Sequence, residues 1–385
     1  MPERLKILFL PSWYPSARNS VAGIFVRDHA KAVNLYNDVV VLYSEGVTPL
    51  RRKLYEIAEN NEEGIRTLRI RYRKSLIPKT SYFIYLFVIF RAFRKLLRDG
   101  FKPDVIHAHV YSAGVPAILL GKRYNIPVVI SEHFSGFARK SLGCLEKTKA
   151  KFVFENADLV CPVSIDLKKH IKNYGIRARF RVVPNTVDMS IFSVAESART
   201  KRDKEDLRKR MLVVALLDSK KGVPYLLEAI AQLRVERDDF ILDIVGDGPN
   251  RKEYEELANS LGLADIVYFH GTKKKEEVAE FMKQCDFFVL PSLYETFGVV
   301  LIEALACGKP VVTTNVGGPN EIVTSEVGKL VPPGNSKSLA KAIDYMLDHY
   351  QKYHPEKITR YARNRYSYEA IGREWDNVYR NVLRS

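Results

Sequence analysis

Cysteine is scarce in this sequence. The four cysteines are scattered and form no C-x-x-C pair; they are Cys144, Cys161, Cys285 and Cys307. This spacing argues against structural zinc sites and disulfide frameworks, and it indicates a reducing, cytoplasmic location.

Long apolar runs are also missing. The apolar stretch at 7–10 is shorter than the core of a secretory signal, and no run of about 18 apolar residues occurs. We therefore expect no membrane-spanning helix. A chain of 385 residues with 46% hydrophobic and 28% charged residues is typical of two soluble globular domains.

Acidic residues are under-represented in the first half of the chain. Residues 1–190 contain 32 Lys and Arg against 16 Asp and Glu, whereas residues 191–385 contain 29 of each. The basic residues cluster at 51–53, 66–74 and 91–98. This one-sided charge predicts an anionic partner, for which anionic lipid and nucleic acid are the two alternatives.

An aromatic segment at 82–90 precedes the last of these basic clusters. It is too short to span a bilayer, but with its basic flank it has the composition of a helix that lies on a membrane surface. The alternative is a buried core helix with a solvated basic end. The sequence leaves both interpretations open.

Short apolar runs alternate with helical patterns along the whole chain. Strands are predicted at 5–10, 38–43, 65–70, 104–109, 127–131, 158–163, 180–183, 211–217, 240–245 and 266–270, and a further buried strand ends at 290. This alternation predicts two doubly wound parallel α/β sheets joined by the polar stretch 189–210. Ligands of such sheets lie at the carboxyl ends of the strands, which suggests a cleft between the two halves.

The stretch 290–310 carries the candidate site of the second half of the chain. Pro291 ends a buried strand, 295–298 forms a tight loop, and 299–306 is a short apolar helix. The free N–H groups at its start, beside Gly298, suit an anion such as a pyrophosphate. Glu295 and Glu303 flank this site and are suited to holding sugar hydroxyls. A solvated surface is the alternative, but the apolar neighbours of Glu303 make it weaker there.

The run E-T-F-G-V-V-L-I-E at 295–303 resembles the E-x7-E signature of retaining glycosyltransferases of family 4, which have the GT-B fold. The flanking P-S-L-Y and A-L-A-C-G-K-P-V-V extend the match, and the resemblance covers nearly the whole chain. It implies a Rossmann-like acceptor domain at 1–188, a linker at 189–210 and a Rossmann-like donor domain at 211–366. The final helix, within 367–385, is expected to cross back to the first domain.

The resemblance also implies roles for individual residues. Glu303 is expected to hold the ribose hydroxyls, Glu295 a sugar hydroxyl, Lys221 the donor diphosphate and His109 the donor sugar. The backbone of Phe297, Gly298, Val299 and Val300 is expected to cradle sugar and phosphate. The remaining donor-binding candidates are Gly23, Asn185, Lys220, Gly248 and Gly271, with His133 and Arg27 as further possibilities.

The chain departs from the family at two motifs. In the family pattern G-R-L-x-x-x-K-G, Leu216 occupies the arginine position and Ala215 the preceding glycine position. Lys220 and Arg27 are the alternatives for the second phosphate-binding cation. In P-N-T-V-D at 184–188, Thr186 stands where the family usually has glycine.

Metal chemistry has little support in the sequence. His107 and His109 share one face of a strand and a metal site is one interpretation, but no further ligand is near in sequence and a hydrogen-bonded core histidine suits His107 better. There is no D-x-D, the metal-binding signature of the other major glycosyltransferase fold. We expect transfer without metal or cofactor.

These features together predict a retaining glycosyltransferase that uses a UDP- or GDP-linked sugar. Its expected acceptor is a lipid-linked or membrane-associated glycan in polysaccharide or glycolipid synthesis, with the enzyme peripheral at the inner face of the membrane. The alternatives are a GT-B enzyme that uses a soluble acceptor or epimerises a nucleotide sugar, and a nucleic-acid-binding protein. The last explains only the charge, so no nucleic acid is expected.

Overall fold

The chain folds into two α/β units in the computed structural model, which describes residues 3–19, 21–48, 53–75, 80–194 and 208–385. The first unit runs to Thr186 and includes Tyr368–Ser385, and the second is Val187–Ser367. Of the linker predicted at 189–210, residues 195–207 lie outside the described residues, as do Arg51 and Arg52 of the first basic cluster. The described ends of that stretch belong to the second unit.

The first unit is built on a seven-stranded sheet with the order β3-β4-β2-β1-β5-β6-β7. Its strands are β1 (Lys6–Pro11), β2 (Asp38–Val47), β3 (Tyr55–Glu62), β4 (Ile65–Arg73), β5 (Val105–His109), β6 (Val128–Glu132) and β7 (Leu159–Pro162). Its helices are α1 (Ile24–Asn34), α2 (Thr80–Arg98), α3 (Tyr111–Tyr124), α4 (Cys144–Asn156), α5 (Ile165–Lys172) and α13 (Tyr368–Arg384). The prediction of a parallel α/β sheet is confirmed for every pair except the edge pair β3–β4, which is antiparallel.

The second unit has a six-stranded sheet, parallel throughout, with the order β10-β9-β8-β11-β12-β13. Its strands are β8 (Lys209–Val214), β9 (Phe240–Val245), β10 (Val267–Gly271), β11 (Phe287–Leu290), β12 (Val311–Thr314) and β13 (Gly328–Val331). Its helices are α6 (Val223–Arg234), α7 (Arg251–Ser260), α8 (Lys275–Gln284), α9 (Val299–Ala306), α10 (Pro319–Ile322), α11 (Ser336–His349) and α12 (Pro355–Tyr366).

The final helix α13 packs on the first unit, against α1. Its apolar face buries Trp375 and Tyr379 in the core of that unit. A Cβ on Gly372 would lie 2.1 Å from the carbonyl oxygen of Ala32, so only glycine lets the two helices approach this closely. Burial of such large aromatic side chains contributes strongly to holding α13 in place.

The aromatic segment 82–90 lies within α2, which has one buried and one exposed side. Val88, Ile89 and the following turns are buried against the sheet, whereas Phe83 and Phe87 are 68% and 47% exposed. Of the described residues, no helix combines the length and the apolar character that a bilayer crossing requires.

Several strands differ from the sequence prediction, and among them β12 and β13 were not predicted as strands. Strand β3 was missed because its residues, Y-E-I-A-E-N-N-E, are largely polar and exposed at the sheet edge. The strand predicted at 180–183 is reduced to an isolated bridge between Val160 and Phe180.

Candidate active site

The loop between β11 and α9 forms the centre of the candidate site in the second unit. Helix α9 spans Val299–Ala306, and Gly298 precedes it with φ +89°. A side chain would be strained in this left-handed conformation, which explains a glycine here. Phe297 is buried, whereas Val299 and Val300 in the first turn are half-buried. The N–H groups of that first turn have no partners within the helix and are the groups that bind anions.

A second loop, between β8 and α6, is docked against the first. Leu293 N–H donates to the carbonyl oxygen of Lys220 over 2.7 Å. Gly222 has φ +66°, and a Cβ there would lie 2.1 Å from the carbonyl oxygen of Pro291. The contact therefore fixes the two loops relative to each other.

This docking brings Lys221 and Glu295 together. Lys221 Nζ donates to Glu295 Oε2 over 2.6 Å, and the two side chains are only 16% and 14% exposed. Glu303 is half-buried on α9, two turns further along the chain. The arrangement places a cation, a carboxylate and a helix start at the carboxyl ends of β8 and β11.

Lys220 and Leu216 of the β8–α6 loop are more exposed than Lys221. Lys220 Nζ pairs with Asp218 at 2.9 Å and is more exposed than Lys221. Leu216, at the arginine position of the family pattern, is exposed to solvent. The structure thus places Lys221, rather than Lys220, against Glu295.

The turns that contain Gly248 and Gly271 complete this edge of the sheet. Leu217 N–H donates to the carbonyl oxygen of Asp247, and Gly246 N–H donates to that of Gly271, both over 2.9 Å. A Cβ on Gly248 would lie 2.5 Å from the carbonyl oxygen of Leu217. Because β10, β9, β8 and β11 are neighbours, the four following loops lie side by side.

In the first unit, His109 ends β5 and is completely buried. Its ring stacks on His107 with a centroid distance of 4.2 Å and contacts Phe9 at 4.6 Å. Neither ring nitrogen has a hydrogen-bond partner among the described residues. The next residue, Val110, has φ +69°, a strained value for a β-branched residue. An unpaired buried imidazole beside backbone strain is typical of a functional position.

Two other buried histidines have structural partners. His107 Nδ1 and Nε2 are each 2.8 Å from a hydroxyl, those of Tyr379 and Ser131. Its predicted role as a hydrogen-bonded core histidine is therefore confirmed. His29, which the sequence analysis missed, accepts a hydrogen bond from Trp375 Nε1 at Nδ1 over 2.9 Å.

Asn185, Gly23 and the two further candidates also lie in the first unit. Asn185 Oδ1 is 3.2 Å from His29 Nε2, which donates because its Nδ1 is an acceptor. Gly23 has φ +73°, and a Cβ there would lie 2.3 Å from the carbonyl oxygen of Trp13. His133 contacts the ring of Phe25 at 4.4 Å. Arg27 pairs with Glu63.

Glu132 is a further buried group whose function sequence reasoning missed. Its carboxylate accepts hydrogen bonds from the N–H groups of Tyr111, His133 and Phe134 over 2.7–2.9 Å. Burial raises its pKa to about 7, against the lowering effect of these bonds. The bonds fix the strained start of α3, next to His109. The only feature of the sequence that could have indicated Glu132 was its position at the end of a predicted strand, next to His133.

The buried histidines make the stability of the first unit depend on pH. Burial lowers the pKa of His29 to about 4 and the pKa values of His107, His109 and His133 well below the usual 6.5. The unfolded chain therefore binds more protons at pH 4–6.5, and we expect the free energy of unfolding to fall as pH is lowered through that range. His29 alone accounts for up to about 3 kcal/mol by pH 4.

Glu132 opposes this trend, because its raised pKa stabilises the fold as pH falls from about 7 towards 4.5. One carboxyl group against four imidazoles leaves the histidines dominant. Both tryptophans, Trp13 and Trp375, belong to the first unit, so urea unfolding followed by tryptophan fluorescence reports on it. A free energy of unfolding that is unchanged or higher at pH 5 than at pH 7 would contradict this prediction.

No group of three or more His, Cys, Asp or Glu residues suited to a metal ion occurs within the part of the chain that the structure describes. His107 is occupied on both nitrogens, so the alternative of a metal held by His107 and His109 has no geometric support. Cys161, Cys285 and Cys307 are buried free thiols, and Cys144 is an exposed one.

Two family models match the chain. The model for glycosyl transferases group 1 covers residues 194–365, and the model for glycosyltransferase family 4 covers residues 26–191. An uncharacterised glycosyltransferase of Methanocaldococcus jannaschii is 30% identical over 298 residues, which span 73% of this chain and 76% of that protein. The alpha-D-kanosaminyltransferase of Streptomyces kanamyceticus is 27% identical over 303 residues, which span 72% of this chain and 77% of that protein.

A solved structure has the same fold. HepE of Anabaena, crystallised with UDP and glucose, aligns with a TM-score of 0.78 over 98% of this chain and 100% of that chain, at 22% identity.

Proposed function

This chain belongs to the glycosyltransferases of group 1 and family 4, which have the GT-B fold, and from that premise we propose that it transfers a sugar from a nucleotide diphosphate to a membrane-associated acceptor. We further propose that the transfer retains the anomeric configuration and needs no metal ion. Lipid-linked glycan is the proposed acceptor class, within polysaccharide or glycolipid synthesis.

The observation that carries the proposal is the pair Lys221–Glu295 beside the start of α9. A sugar nucleotide reacts when its diphosphate leaves, and the negative charge that develops must be stabilised. A lysine and helix N–H groups supply that stabilisation from fixed positions. We propose that Glu295, which accepts a hydrogen bond from Lys221 over 2.6 Å, also accepts one from a sugar hydroxyl.

Glu303 and the neighbouring glycine turns are the proposed nucleotide site. A half-buried carboxylate on α9 accepts hydrogen bonds from both ribose hydroxyls, which are donors of suitable geometry. Gly248 packs against Leu217 and Gly271 against Arg251, and the backbone groups of these adjacent turns are the proposed contacts of the base. The complex of HepE with UDP supports uridine as the first base to test, with guanosine as the second.

Retention follows in this proposal from attack on the same face as the leaving group. The bond between the acceptor oxygen and the anomeric carbon forms while the bond from that carbon to the phosphate oxygen breaks. The departing phosphate oxygen takes the proton of the acceptor hydroxyl, so no enzyme nucleophile is needed. Glu295 is not assigned as a glycosidase-type nucleophile, because the partner acid that such a mechanism uses is not identified among the described residues.

His109 is proposed to contact the donor sugar. Burial keeps its pKa well below the usual range, so the imidazole is neutral at physiological pH. A neutral imidazole whose nitrogens have no partner among the described residues offers one hydrogen-bond donor and one acceptor. These are the two groups that a sugar hydroxyl needs.

The exposed residues of helix α2 support the proposal that the acceptor lies at a membrane surface. Phe83 and Phe87 are exposed on this helix, and Arg91, Arg94 and Arg98 follow them. Exposed aromatic side chains next to basic residues are typical of helices that lie on anionic bilayers. We therefore propose a peripheral location at the inner face of the membrane, with α2 in contact with lipid.

Vesicle binding tests this location. We expect the protein to sediment with phosphatidylglycerol vesicles more than with phosphatidylcholine vesicles. The double variant Phe83→Ser/Phe87→Ser should weaken partitioning at least about tenfold, because burying each ring contributes about 1.5–3 kcal/mol. Leu145→Ser, at a position 78% exposed on α4, is the matched control and should bind like the wild type.

Two outcomes would reject the membrane part of the proposal. The first is absence of binding to anionic vesicles, and the second is an equal loss in the Leu145 control. Efficient transfer to soluble acceptors without vesicle binding would instead favour the enzyme with a soluble acceptor.

A further inference from the structure

A cavity of about 410 Å³ in the first unit lies at the carboxyl ends of β2 and β4. Its walls include Tyr43 and Glu45 of β2 together with Arg69 and Arg71 of β4, which are paired in register. We name it the arginine pocket, because Arg27 of α1 completes a set of three guanidinium groups around it.

The arginine pocket is at the sheet edge where β5 ends in His109. Ser12 N–H donates to the carbonyl oxygen of His109 over 3.1 Å, and the same loop then runs on to line the pocket with Pro15 and Ser16. Since β1, β2, β4 and β5 are parallel, their carboxyl ends meet at one edge. A ligand in the pocket thus lies on the ligand-binding edge of this unit.

Arg69 is rigidly held and still has hydrogen-bond donors to spare. Its Nε and Nη2 donate to Glu62 over 2.5 and 2.6 Å, and Nη2 also donates to the carbonyl oxygen of Pro15 over 2.7 Å. The guanidinium lies over the rings of Tyr14 and Tyr43. No hydrogen bond of its Nη1 occurs within the described ranges. The group is thus positioned before any ligand arrives.

The other two arginines are less satisfied. Arg71 is 59% exposed, and its Nε is 3.6 Å from Glu45, beyond hydrogen-bond length. Arg27 contacts Glu63 through Nη1, while its buried Nε has no acceptor among the described residues. A guanidinium carries five N–H donors. The three groups together therefore present more donors than the neighbouring carboxylates accept.

We propose that the arginine pocket binds a negatively charged group of the acceptor, a phosphate or a carboxylate. This inference rests on the proposed function, because it assigns the substrate class to the acceptor side of the same enzyme. Planar guanidinium groups match the paired oxygens of both anions. The cavity volume is within the range of small-molecule sites and accommodates a monosaccharide unit that carries the charge.

Two sources supply such a group: the phosphate of a lipid carrier, or the carboxylate of an acidic sugar. Direct titration by calorimetry distinguishes them with inorganic phosphate and glucuronate as probes and glucose as the uncharged control. The titrations use the full-length Lys221→Met variant, in which the cation proposed to bind donor phosphate is absent, so that anion binding at the donor site is weakened.

We expect at least one anion to bind saturably and glucose not to bind. Adding Arg71→Ala to the Lys221→Met variant should weaken the binding of that anion at least tenfold. Arg73→Ala removes the next exposed arginine on β4 and should change affinity less than twofold. Because Arg71 is exposed, its removal leaves the fold intact, which circular dichroism checks.

Binding of phosphate alone identifies the lipid-carrier source, and binding of glucuronate alone identifies the acidic sugar. Failure of both anions, or equal losses for Arg71→Ala and Arg73→Ala, overturns the proposal. The proposed function is tested separately by measuring nucleotide binding to the wild-type protein. The proposal of an anion site in the arginine pocket can therefore be wrong while donor binding is confirmed. Equally, donor binding can be absent while the anion site is confirmed.

Discussion

Replacing Lys221 by methionine is expected to lower kcat/KM for sugar transfer by roughly 10²–10³, the usual effect of removing one preorganised group that stabilises developing negative charge. Methionine keeps most of the length of the side chain and removes only its charge. The loss should appear mainly in kcat, because Lys221 stabilises the additional negative charge that the diphosphate acquires as its bond to the sugar breaks. Steady-state kinetics with the donor varied measures both parameters.

Lys220→Met is the matched control for this prediction. Its ammonium group pairs with Asp218, away from Glu295, so the loss should be at least tenfold smaller than for Lys221→Met. If the two variants lose equally, the diphosphate is held by both lysines and the pair Lys221–Glu295 is not the centre of the site. If Lys221→Met retains full activity, the proposed mechanism is wrong.

Replacing Gly318 by alanine is expected to reduce activity at least about a hundredfold with only a moderate loss of stability. The new Cβ would lie 2.3 Å from Phe297 Cα and 2.7 Å from the carbonyl oxygen of Thr296. The loop that carries Glu295 must therefore move, and misplacement by about 1 Å costs this much in rate. Gly318 has a right-handed helical conformation, so the effect is steric and not a matter of backbone strain.

The stability cost of Gly318→Ala should be about 1–3 kcal/mol, as for other overpacked sites. Gly143→Ala is the control, because Gly143 has φ −70° and no atom within 4 Å of the new Cβ. It should keep wild-type activity and change stability by less than about 1 kcal/mol. Calorimetric unfolding and donor kinetics on both variants test the prediction, which fails if Gly318→Ala is as active as Gly143→Ala.

The sequence predicted the central stretch of the second unit correctly. Helix α9 begins at Val299 and ends at Ala306 as expected, because glycine and proline punctuate an otherwise apolar run on both sides. The meeting of Lys221 with Glu295 could not be read from the sequence, since it depends on the docking of Leu293 against Lys220, which are far apart in the chain.

The first unit was harder to predict. Strand β3 lacks the apolar alternation of a half-buried strand because it forms an exposed edge, so no periodicity marked it. His29 was passed over because only the tertiary packing of Trp375 and Asn185 against it reveals a buried hydrogen-bond network. Asn185 was predicted to bind donor from its motif, and the structure places it against His29; its role with donor stays a prediction.

Thermal unfolding of the EDTA-treated protein with UDP, GDP and their monophosphates tests the central claim most directly. We expect one diphosphate, at 100 times its Kd, to stabilise the protein by about 2.7 kcal/mol relative to the ligand-free protein. The resulting rise in Tm should exceed the rise that its monophosphate gives. That rise should persist in EDTA and be reduced in Lys221→Met and Glu303→Ala. A rise that requires added divalent metal, or no rise with either diphosphate, would contradict metal-free donor binding at the Lys221–Glu295 site.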